Sequence, residues 1–455
     1  MTPLAGRRAE IRAILAAHPT IETIEMVFPD MNGVARGKHL PADQVEKLFG
    51  KVRMPISVYN LDILSSDVAK AGIALERGDP DGFGHVARFA PATWTGGRRA
   101  LALMTMTDPD GSPTVYDPRQ ALARVAERYE ARGLTPVIAP ELEFYLIDAK
   151  RDATERAQPP ISPLTGERLR DPQVYRLSVQ EPFSGILDEM IEAARTLGCS
   201  ADTALAEYGP GQFEINMNHV EGAIRAADEA MLLKLAVRGV AHRHRMEASF
   251  MAKPYGEQAG SGFHLHVSLL DRQGRNILAG GAEGEPGPML RGALGGLKAH
   301  MAASMLIFAP HLNSYRRFGR GTFAPSVAAW GLDNRSTAIR VPATSGQGAR
   351  VEHRLAGSDV NPYLALAMVL QAMLEGMDEG IDPGTPAQRE AGPEDGPLLP
   401  LSWNQAIHAF QASDFPARAL GAEFARCYAL MKEQEMASLN LRVTDVEYDV
   451  YLRAI

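Results

Sequence analysis

The sequence predicts an α+β protein made of two units, and three observations support this prediction. The length of 455 residues allows two to three domains at about 150 residues each. Helical stretches alternate with short strand-like runs, and no fixed-period repeat is visible. The turn cluster DPDGSP at residues 108–113 is the best candidate boundary. We therefore predict a smaller unit over residues 1–113 and a larger one over residues 114–455.

Composition and charge exclude several classes of protein. The chain is 45% apolar and 22% charged, which is typical of a globular protein. Its formal net charge of −8 gives the surface no general attraction for nucleic acid or anionic lipid. No apolar run reaches the about 18 residues of a membrane span, and no export signal is recognisable. With only Cys199 and Cys427, the chain suits a reducing compartment, so we expect a cytoplasmic protein without nucleic-acid or membrane partners.

The smaller unit is predicted to begin with a short amphipathic helix and to continue with strands. Ile11, Ile14 and Leu15 recur at helical spacing. The Asn-Gly pair at residues 32–33 lies between two strand-like runs, which is a strong signal for a β-hairpin. A further strand is expected over residues 100–106.

The larger unit begins with a helix that has clear start and stop signals. Asp117 can cap it, Pro118 suits its first position, and Gly133 can end it. A stretch rich in Gly, Pro and acidic residues at 380–400 is predicted to be an exposed linker. The other long helical stretches are residues 186–196, 222–245 and 361–379.

Four strand-like segments carry charged or imidazole groups at every second position, with apolar residues between them. Because successive side chains of a strand point to opposite faces, each polar set is predicted to share one face of a sheet. A solvated sheet face is the alternative for any single segment. The segments are ELEFYL (Glu141, Glu143), GQFEINM after Glu207 (Glu214), GSGFHLHVSL (His264, His266, Ser268) and ARVEHRL (Arg350, Glu352, Arg354).

The residue types in these segments point to metal chemistry. They are nearly free of lysine, and they combine five glutamates with two histidines. Hard divalent cations require carboxylate oxygens, so this set suits Mg²⁺ or Mn²⁺ better than Zn²⁺.

A second group of residues is rich in arginine and follows the carboxylate segments. Arginine is well suited to bidentate binding of phosphate or carboxylate. Its proximity to the carboxylates favours a small anionic ligand bridged by metals, with a nucleotide and Mg²⁺ as the best candidate. A salt-bridged structural network is the alternative, and no P-loop or Rossmann pattern is present. The arginines are Arg316, Arg317, Arg320, Arg335, Arg340, Arg350 and Arg354.

These motifs resemble those of the glutamine synthetase family, type I, in residue identity, order and spacing. The matching segments are NGVARGK, ELEFYL, EYGPGQFE, KPYGEQAGSGFHLHVSL, NSYRRF, DNRSTAIRVP, RVEHRL and NPYLALA. The resemblance implies an N-terminal β-grasp domain and a larger catalytic domain with a curved antiparallel sheet and helices. It also implies ATP, two to three Mg²⁺ (or Mn²⁺) ions, L-glutamate as a substrate, and a homododecamer of two stacked six-membered rings.

The same resemblance assigns roles to individual residues. One metal would be held by Glu143, Glu207 and Glu214, and a second by Glu141, His264 and Glu352. Glutamate would be bound by Gly260, Arg317 and Arg354. The nucleotide would be bound by Arg335, Arg340, Arg350 and Ser268. The residues expected beside the reacting groups are His266, near the transferred phosphoryl group, with Arg317, Arg335 and Phe323.

Phe323 marks a departure from the glutamine synthetase pattern. The family segment GYEAP, whose Glu accepts a proton from ammonium, reads GTFAP here. A phenyl ring cannot accept that proton, but it can pack against the carbon skeleton of a larger amine.

The sequence around Phe323 instead resembles that of the γ-glutamyl-amine ligase branch, which includes γ-glutamylpolyamine synthetases. We therefore predict a ligase that uses ATP to join the γ-carboxylate of L-glutamate to a polyamine or a short alkylamine through γ-glutamyl phosphate. A glutamine synthetase with a relocated base and a non-catalytic homologue are the alternatives.

Overall fold

A computed structural model describes residues 4–73, 75–281, 284–318 and 323–455. Within these residues the predicted α+β class is confirmed, because two sheets combine antiparallel strand pairs with packed helices. Residues 319–322, which include Arg320 and the start of the GTFAP segment, lie outside the described residues.

The first sheet has five strands. They are β1 (Thr23–Pro29), β2 (Ala35–Pro41), β3 (Phe49–Pro55), β4 (Asp81–Pro91) and β5 (Arg99–Thr107), preceded by helix α1 (Leu4–Ala17). Their order is β2-β1-β5-β4-β3, with β1 and β5 parallel and the other neighbours antiparallel. The Asn-Gly turn at residues 32–33 joins β1 to β2, as predicted, and Gly33 has the positive φ of 75° that such a turn favours.

The second sheet has nine strands. They are β6 (Thr135–Asp148), β7 (Ala201–Ala206), β8 (Gln212–Met217), β9 (Val220–Glu221), β10 (Met246–Ser249), β11 (Phe263–Leu270), β12 (Trp330–Leu332), β13 (Ile339–Ala343) and β14 (Arg350–His353). Seven follow the order β12-β13-β14-β11-β6-β8-β7, and β9 and β10 both pair with β6. All pairs are antiparallel except β12 with β13. The long strand β6 is therefore central to the sheet.

The helices begin and end close to the predicted positions. Asp117 accepts a hydrogen bond from the Arg119 backbone N–H at 2.8 Å and so caps the helix that Pro118 opens. None of the described helices is long and apolar enough to cross a membrane. The helices after α1 are α2 (Pro118–Ala131), α3 (Leu177–Gln180), α4 (Ser184–Thr196), α5 (Ala223–Arg243), α6 (Pro288–Phe308), α7 (Pro362–Glu379), α8 (Trp403–Gln411), α9 (Phe415–Leu420), α10 (Ala422–Asn440) and α11 (Asp445–Tyr451).

Residues 380–400 form a loop without helix or strand, as predicted, and this loop also hydrogen-bonds to the edge of the second sheet. The Ala387 backbone N–H donates to the Trp330 carbonyl at 2.9 Å, which supplies the edge strand β12 with a partner on its free side. The Ala328 N–H donates to the Pro397 carbonyl at 2.9 Å. Backbone groups at a sheet edge need hydrogen-bond partners, and this loop provides them.

The Asn-Gly turn of the first sheet packs against the start of α7. The Asn361 side-chain amide donates to the Asp30 carbonyl at 2.9 Å. A Cβ atom at Gly33 would lie 3.2 Å from the Asn361 Cα, so this close approach favours glycine. The NG and NPYL motifs of the sequence therefore meet at one contact between the two units.

Candidate active site

Strand register brings the predicted polar residues together on one face of the second sheet. Strand β11 alternates strictly, with Leu265 and Val267 buried in the core and the histidines on the other face. The facing pairs across neighbouring strands are His264 with Glu141, His266 with Glu352, and Glu143 with Glu214. The four segments thus form one site, which we call the acidic cluster: Glu141, Glu143, Glu207, Glu214, His264 and Glu352.

His264 lies at the centre of this cluster. Its Nδ1 is 3.3 Å from Glu141 Oε2, and its Nε2 is 4.0 Å from Glu143 Oε1. Two groups of potential ligand atoms, each with its atoms within 4.8 Å of one another, share this imidazole: Glu141 with His264 and Glu352, and Glu143 with Glu214 and His264. The structure therefore brings together all three ligands predicted for the second metal. Of the three predicted for the first metal, Glu143 and Glu214 lie together, and the third member of their group is His264 instead of Glu207.

The electrostatics of the acidic cluster favour bound cations. Burial and the neighbouring Glu143 raise the pKa of Glu207 to about 8 and that of Glu214 to about 9. Burial also opposes ionisation of Glu141, but hydrogen bonds and charge from the two histidines hold the pKa of Glu141 below its usual range. Buried carboxylates that repel one another are stabilised by a cation between them. The residues present therefore fit Mg²⁺ or Mn²⁺.

Glu143 is held in place by its neighbours. The Gly262 backbone N–H donates to Glu143 Oε2 at 2.9 Å, and the Gln212 side chain donates to the same oxygen at 3.2 Å. Gln212 also donates to the Gly260 carbonyl at 3.0 Å. Gln212 was not predicted from the sequence. Its position two residues before Glu214 on β8 nevertheless indicates that both side chains lie on the same face of the sheet.

Arg317 lies beside this cluster at the end of a 3₁₀ helix, Leu312–Arg317. Its guanidinium is buried and donates to the Leu355 carbonyl at 3.0 Å. A Cβ atom at Gly260 would lie 2.6 Å from Arg317 Cγ, so the chain can pass the arginine only because this residue is glycine. Two of the three residues predicted to bind glutamate, Gly260 and Arg317, are therefore close together.

The other predicted arginines lie along β13, β14 and the turn before β13. Arg340 and Arg354 both donate to the carboxylate of Glu352, and this charge, acting against burial, holds the pKa of Glu352 below its ordinary value. Arg350 Nε donates to His266 Nδ1 at 3.2 Å. Arg335 is exposed and lines a cavity of about 430 Å³. All four arginines thus lie on or near the sheet that carries the acidic cluster.

His266 and Ser268 are engaged within β11 and its neighbours. His266 Nε2 is 2.9 Å from Glu141 Oε1. On the other side of the ring, Arg350 Nε lies at hydrogen-bond distance from Nδ1, so the imidazole is held between a carboxylate and a guanidinium. The Ser268 hydroxyl donates to the Ala349 carbonyl at 3.0 Å.

Phe323 lies against a second exposed aromatic ring. The ring centroids of Phe323 and Tyr208 are 5.4 Å apart, and the side chains are 64% and 42% exposed. Tyr208 directly follows Glu207 in the chain. Burial and the charge of Glu207 raise the pKa of Tyr175, a third exposed aromatic residue nearby. Tyr208 and Tyr175 were not predicted from the sequence. Tyr208 could have been found from its position next to Glu207, a predicted metal ligand, whereas no sequence pattern pointed to Tyr175.

We expect the metal-free protein to become less stable as pH rises from about 4.5 to about 9, the unfolded and folded pKa values of Glu214. In this range Glu214 binds a proton in the folded state but not in the unfolded state, so its ionisation favours unfolding. Added Mg²⁺ should reverse the trend and raise the melting temperature most at high pH. Differential scanning fluorimetry with EDTA or Mg²⁺ across this pH range measures both effects.

The variant Glu214→Gln is the control for this pH dependence, because it removes a group whose raised pKa lies within this range while nearly keeping its volume. Its metal-free melting temperature should depend less on pH than that of the wild type. A metal-free wild type whose stability stays constant or rises over the range would contradict the prediction.

Comparisons with known proteins agree with this geometry. The family model of the glutamine synthetase catalytic domain matches residues 115–451. The chain is 37% identical over 446 residues to the γ-glutamylputrescine synthetase PuuA of Escherichia coli K12, covering 98% of this chain and 94% of that protein. It is 33% identical over 452 residues to the γ-glutamylethanolamide synthetase GlnA4 of Streptomyces coelicolor, covering 96% and 94%. The structure of a GmaS/ADP complex superposes with a TM-score of 0.84 at 25% identity, covering 97% and 99%. The chain therefore belongs to the glutamine synthetase family, in the glutamate–amine ligase branch that its motifs predicted.

Proposed function

We propose that this protein uses ATP to join the γ-carboxylate of L-glutamate to an organic amine, either a polyamine or a short alkylamine, releasing ADP and phosphate. The observation that carries the proposal is the acidic cluster together with an exposed aromatic pair, Phe323 and Tyr208, of which Tyr208 directly follows Glu207. By their names, PuuA and GlnA4 make γ-glutamyl derivatives of organic amines.

The six residues of the acidic cluster would hold two to three Mg²⁺ or Mn²⁺ ions. When bound, such ions neutralise the phosphate oxygens of ATP during transfer. Gly260, Arg317 and Arg354 would bind glutamate. Arg335, Arg340, Arg350 and Ser268 would bind ATP.

The proposed reaction has two steps. An oxygen of the glutamate γ-carboxylate attacks the γ-phosphorus of ATP, ADP leaves, and γ-glutamyl phosphate forms. The amine then loses its ammonium proton, and its nitrogen attacks the acyl carbon. Phosphate leaves with both electrons of the broken C–O bond, and the second proton of the nitrogen passes to phosphate or solvent. His266 would lie near the transferred group, held by Glu141 on one side and Arg350 on the other. Arg317 and Arg350, which have no carboxylate at hydrogen-bond distance among the described residues, would face developing negative charge.

The aromatic pair would select the second substrate. Amines carry a positive charge at neutral pH, and aromatic faces attract cations while they also pack against methylene groups. Ammonium has no carbon chain to bury against Phe323, so the arrangement favours an organic amine over ammonium.

The proposal extends to the domains, the assembly and the location of the protein. We propose that residues 1–113 form a β-grasp domain, that residues 114–455 form the catalytic domain, and that copies assemble into a dodecamer of two stacked rings. The small unit of one copy would then cover the exposed side of a neighbour's site. The need for ATP and glutamate suits a cytoplasmic location.

A panel of amines tests the proposed function. Phosphate release would be measured with glutamate, ATP, Mg²⁺ and, in turn, putrescine, ethanolamine, isopropylamine, methylamine or ammonium. We expect kcat/KM to be highest for one of the organic amines. Equal or greater efficiency with ammonium would instead indicate a glutamine synthetase with a relocated base, and no turnover with any nucleophile would indicate a non-catalytic homologue.

Replacing Phe323 with glutamate should raise the use of ammonium relative to the best organic amine. The carboxylate can attract ammonium and accept its proton, and the apolar contact with the amine's carbon chain is lost. We expect the ratio of the two kcat/KM values to change by about tenfold or more. The matched control is Phe323→Leu, which keeps an apolar surface and should leave the preference for organic amines in place. An unchanged ratio in Phe323→Glu would show that Phe323 does not face the amine.

A further inference from the structure

Asp359 is a half-buried residue near Arg317, with one fully buried carboxylate oxygen, and none of the sequence motifs singled it out. Its Oδ2 accepts a hydrogen bond from the Ser314 hydroxyl at 2.5 Å. Its Oδ1 is buried and has no hydrogen-bond partner among the described residues. A Cβ atom at Gly357 would lie 2.5 Å from this Oδ1 and 3.3 Å from Arg317 Nη1. The unpaired oxygen and the guanidinium therefore approach the same point.

Ser314 links Asp359 to the helix that carries Arg317. The Ser314 hydroxyl accepts a hydrogen bond from the His311 backbone N–H at 3.0 Å, which closes the start of the 3₁₀ helix Leu312–Arg317. Because the hydroxyl proton is donated to Asp359, its lone pair faces that N–H. Asp359 thus fixes the helix at its start and faces the guanidinium at its end.

Arg317 lies between two carboxylates. On the far side from Asp359, a Cβ atom at Gly262 would lie 3.2 Å from Glu143 Oε1 and 3.4 Å from Arg317 Nη2. Burial and the charge of Arg354 lower the pKa of Arg317, and Glu143 and Asp359 oppose this effect. If Glu143 is a metal ligand, its charge is shared with the cation, and Asp359 is then the remaining carboxylate beside Arg317 that can hold the guanidinium in place.

We infer that Asp359 is a positioning residue, which acts through Arg317 on the binding of the substrate carboxylate. The inference rests on the proposed function, because that function gives Arg317 its role in binding glutamate. No contact between Asp359 and a substrate is required.

The variant Asp359→Asn tests this inference, because the amide oxygen can still accept the Ser314 hydrogen bond while the charge is lost. Calorimetry would measure the binding of L-glutamate in the presence of Mg²⁺ and a non-hydrolysable ATP analogue, and separately the binding of the analogue. We expect the Kd for glutamate to rise about tenfold and that for the analogue to change less than about twofold. Ser314→Ala, which keeps the carboxylate but frees the helix start, should also weaken glutamate binding selectively, and it replaces the first variant if that protein does not fold.

A double-mutant cycle separates positioning from a merely structural role. If Asp359 acts through Arg317, Asp359→Asn should have little further effect on glutamate binding in the Arg317→Lys background. The control is Asp228→Asn, since Asp228 is a buried carboxylate, paired with Arg119 away from the site. Equal losses for both ligands in Asp359→Asn, or additive effects in the cycle, would overturn the inference.

The amine panel and the binding measurement can fail separately. A wild type that binds glutamate but uses only ammonium would refute the proposed amine substrate, and the effect of Asp359→Asn on glutamate binding would still decide the inference. A wild type that uses organic amines while Asp359→Asn binds glutamate normally would refute only the inference. A wild type that binds no glutamate would refute both.

Discussion

Replacement of Glu143 with alanine should abolish the ATP-dependent turnover of glutamate and amine. Glu143 is proposed as a metal ligand, and Gly262 and Gln212 orient its carboxylate. Loss of even an outer hydrogen-bond partner of a metal ligand typically costs about 10- to 100-fold, so the loss of a ligand should lower kcat at least about 100-fold. Phosphate release at saturating ATP, glutamate and Mg²⁺ measures the effect.

The folded structure should survive this substitution, which makes the loss of activity interpretable. Glu143 repels Glu207 and Glu214, whose raised pKa values record that repulsion. Removing its charge should therefore leave the melting temperature of the metal-free protein unchanged or higher, while the rise in melting temperature on adding Mg²⁺ becomes smaller.

Glu247→Ala is the matched control for Glu143→Ala. Glu247 lies on β10, which also pairs with β6, but its carboxylate pairs with Arg151 outside the acidic cluster. Because a partly exposed ion pair contributes little, its kcat should stay within about twofold of the wild-type value. If Glu143→Ala keeps more than a tenth of the wild-type kcat, or responds to Mg²⁺ as the wild type does, Glu143 is not an essential ligand.

Period-two patterns made much of the site predictable. In a strand, alternation alone decides which side chains share a face, so Glu141 with Glu143 and His264 with His266 could be placed from letters. Alternation does not say which residues of neighbouring strands lie opposite one another, because that depends on the register of the strands. The hydrophobic face of each strand restricts the register, since a slip by one residue would turn that face towards solvent. In the structure His264 lies opposite Glu141, in agreement with both the alternation and this restriction.

Contacts between segments distant in sequence could not be predicted in this way. Asp359 lies near Arg317 because the loop after β14 places Oδ1 of Asp359 and Nη1 of Arg317 close to Gly357, and no local pattern encodes that path. Residues 380–400 have the composition of a linker, yet the open edge of β12 recruits their backbone. In both cases the deciding interaction is made by the backbone or by a single side chain, which leaves no periodic trace in the sequence.

The contact between the first sheet and helix α10 also depends on single side chains that are distant in sequence. Lys432 and Glu435 of α10 form an ion pair at 2.8 Å, and both side chains are 0% exposed. Glu435 also accepts hydrogen bonds from the Asn32 side chain and from the Ile63 backbone N–H, each at 2.9 Å. Burial and the charge of Lys432 hold the pKa of the adjacent His311 well below its ordinary value, so that imidazole is neutral. One buried pair thus ties the Asn-Gly turn to the last long helix.

Replacing Lys432 with methionine should destabilise the protein strongly, because it leaves the carboxylate of Glu435 buried without its cation. Breaking such a pair from one side typically costs about 3 to 5 kcal/mol. Urea unfolding followed by tryptophan fluorescence would measure the loss. The matched control is Glu423→Gln, which breaks an ion pair with the same i,i+3 spacing on the same helix, since Glu423 and Arg426 are 44% and 46% exposed. That change should cost less than about 1 kcal/mol. Equal losses in the two variants would mean that burial does not set the strength of the Lys432 pair, and that the contact between the units is held elsewhere.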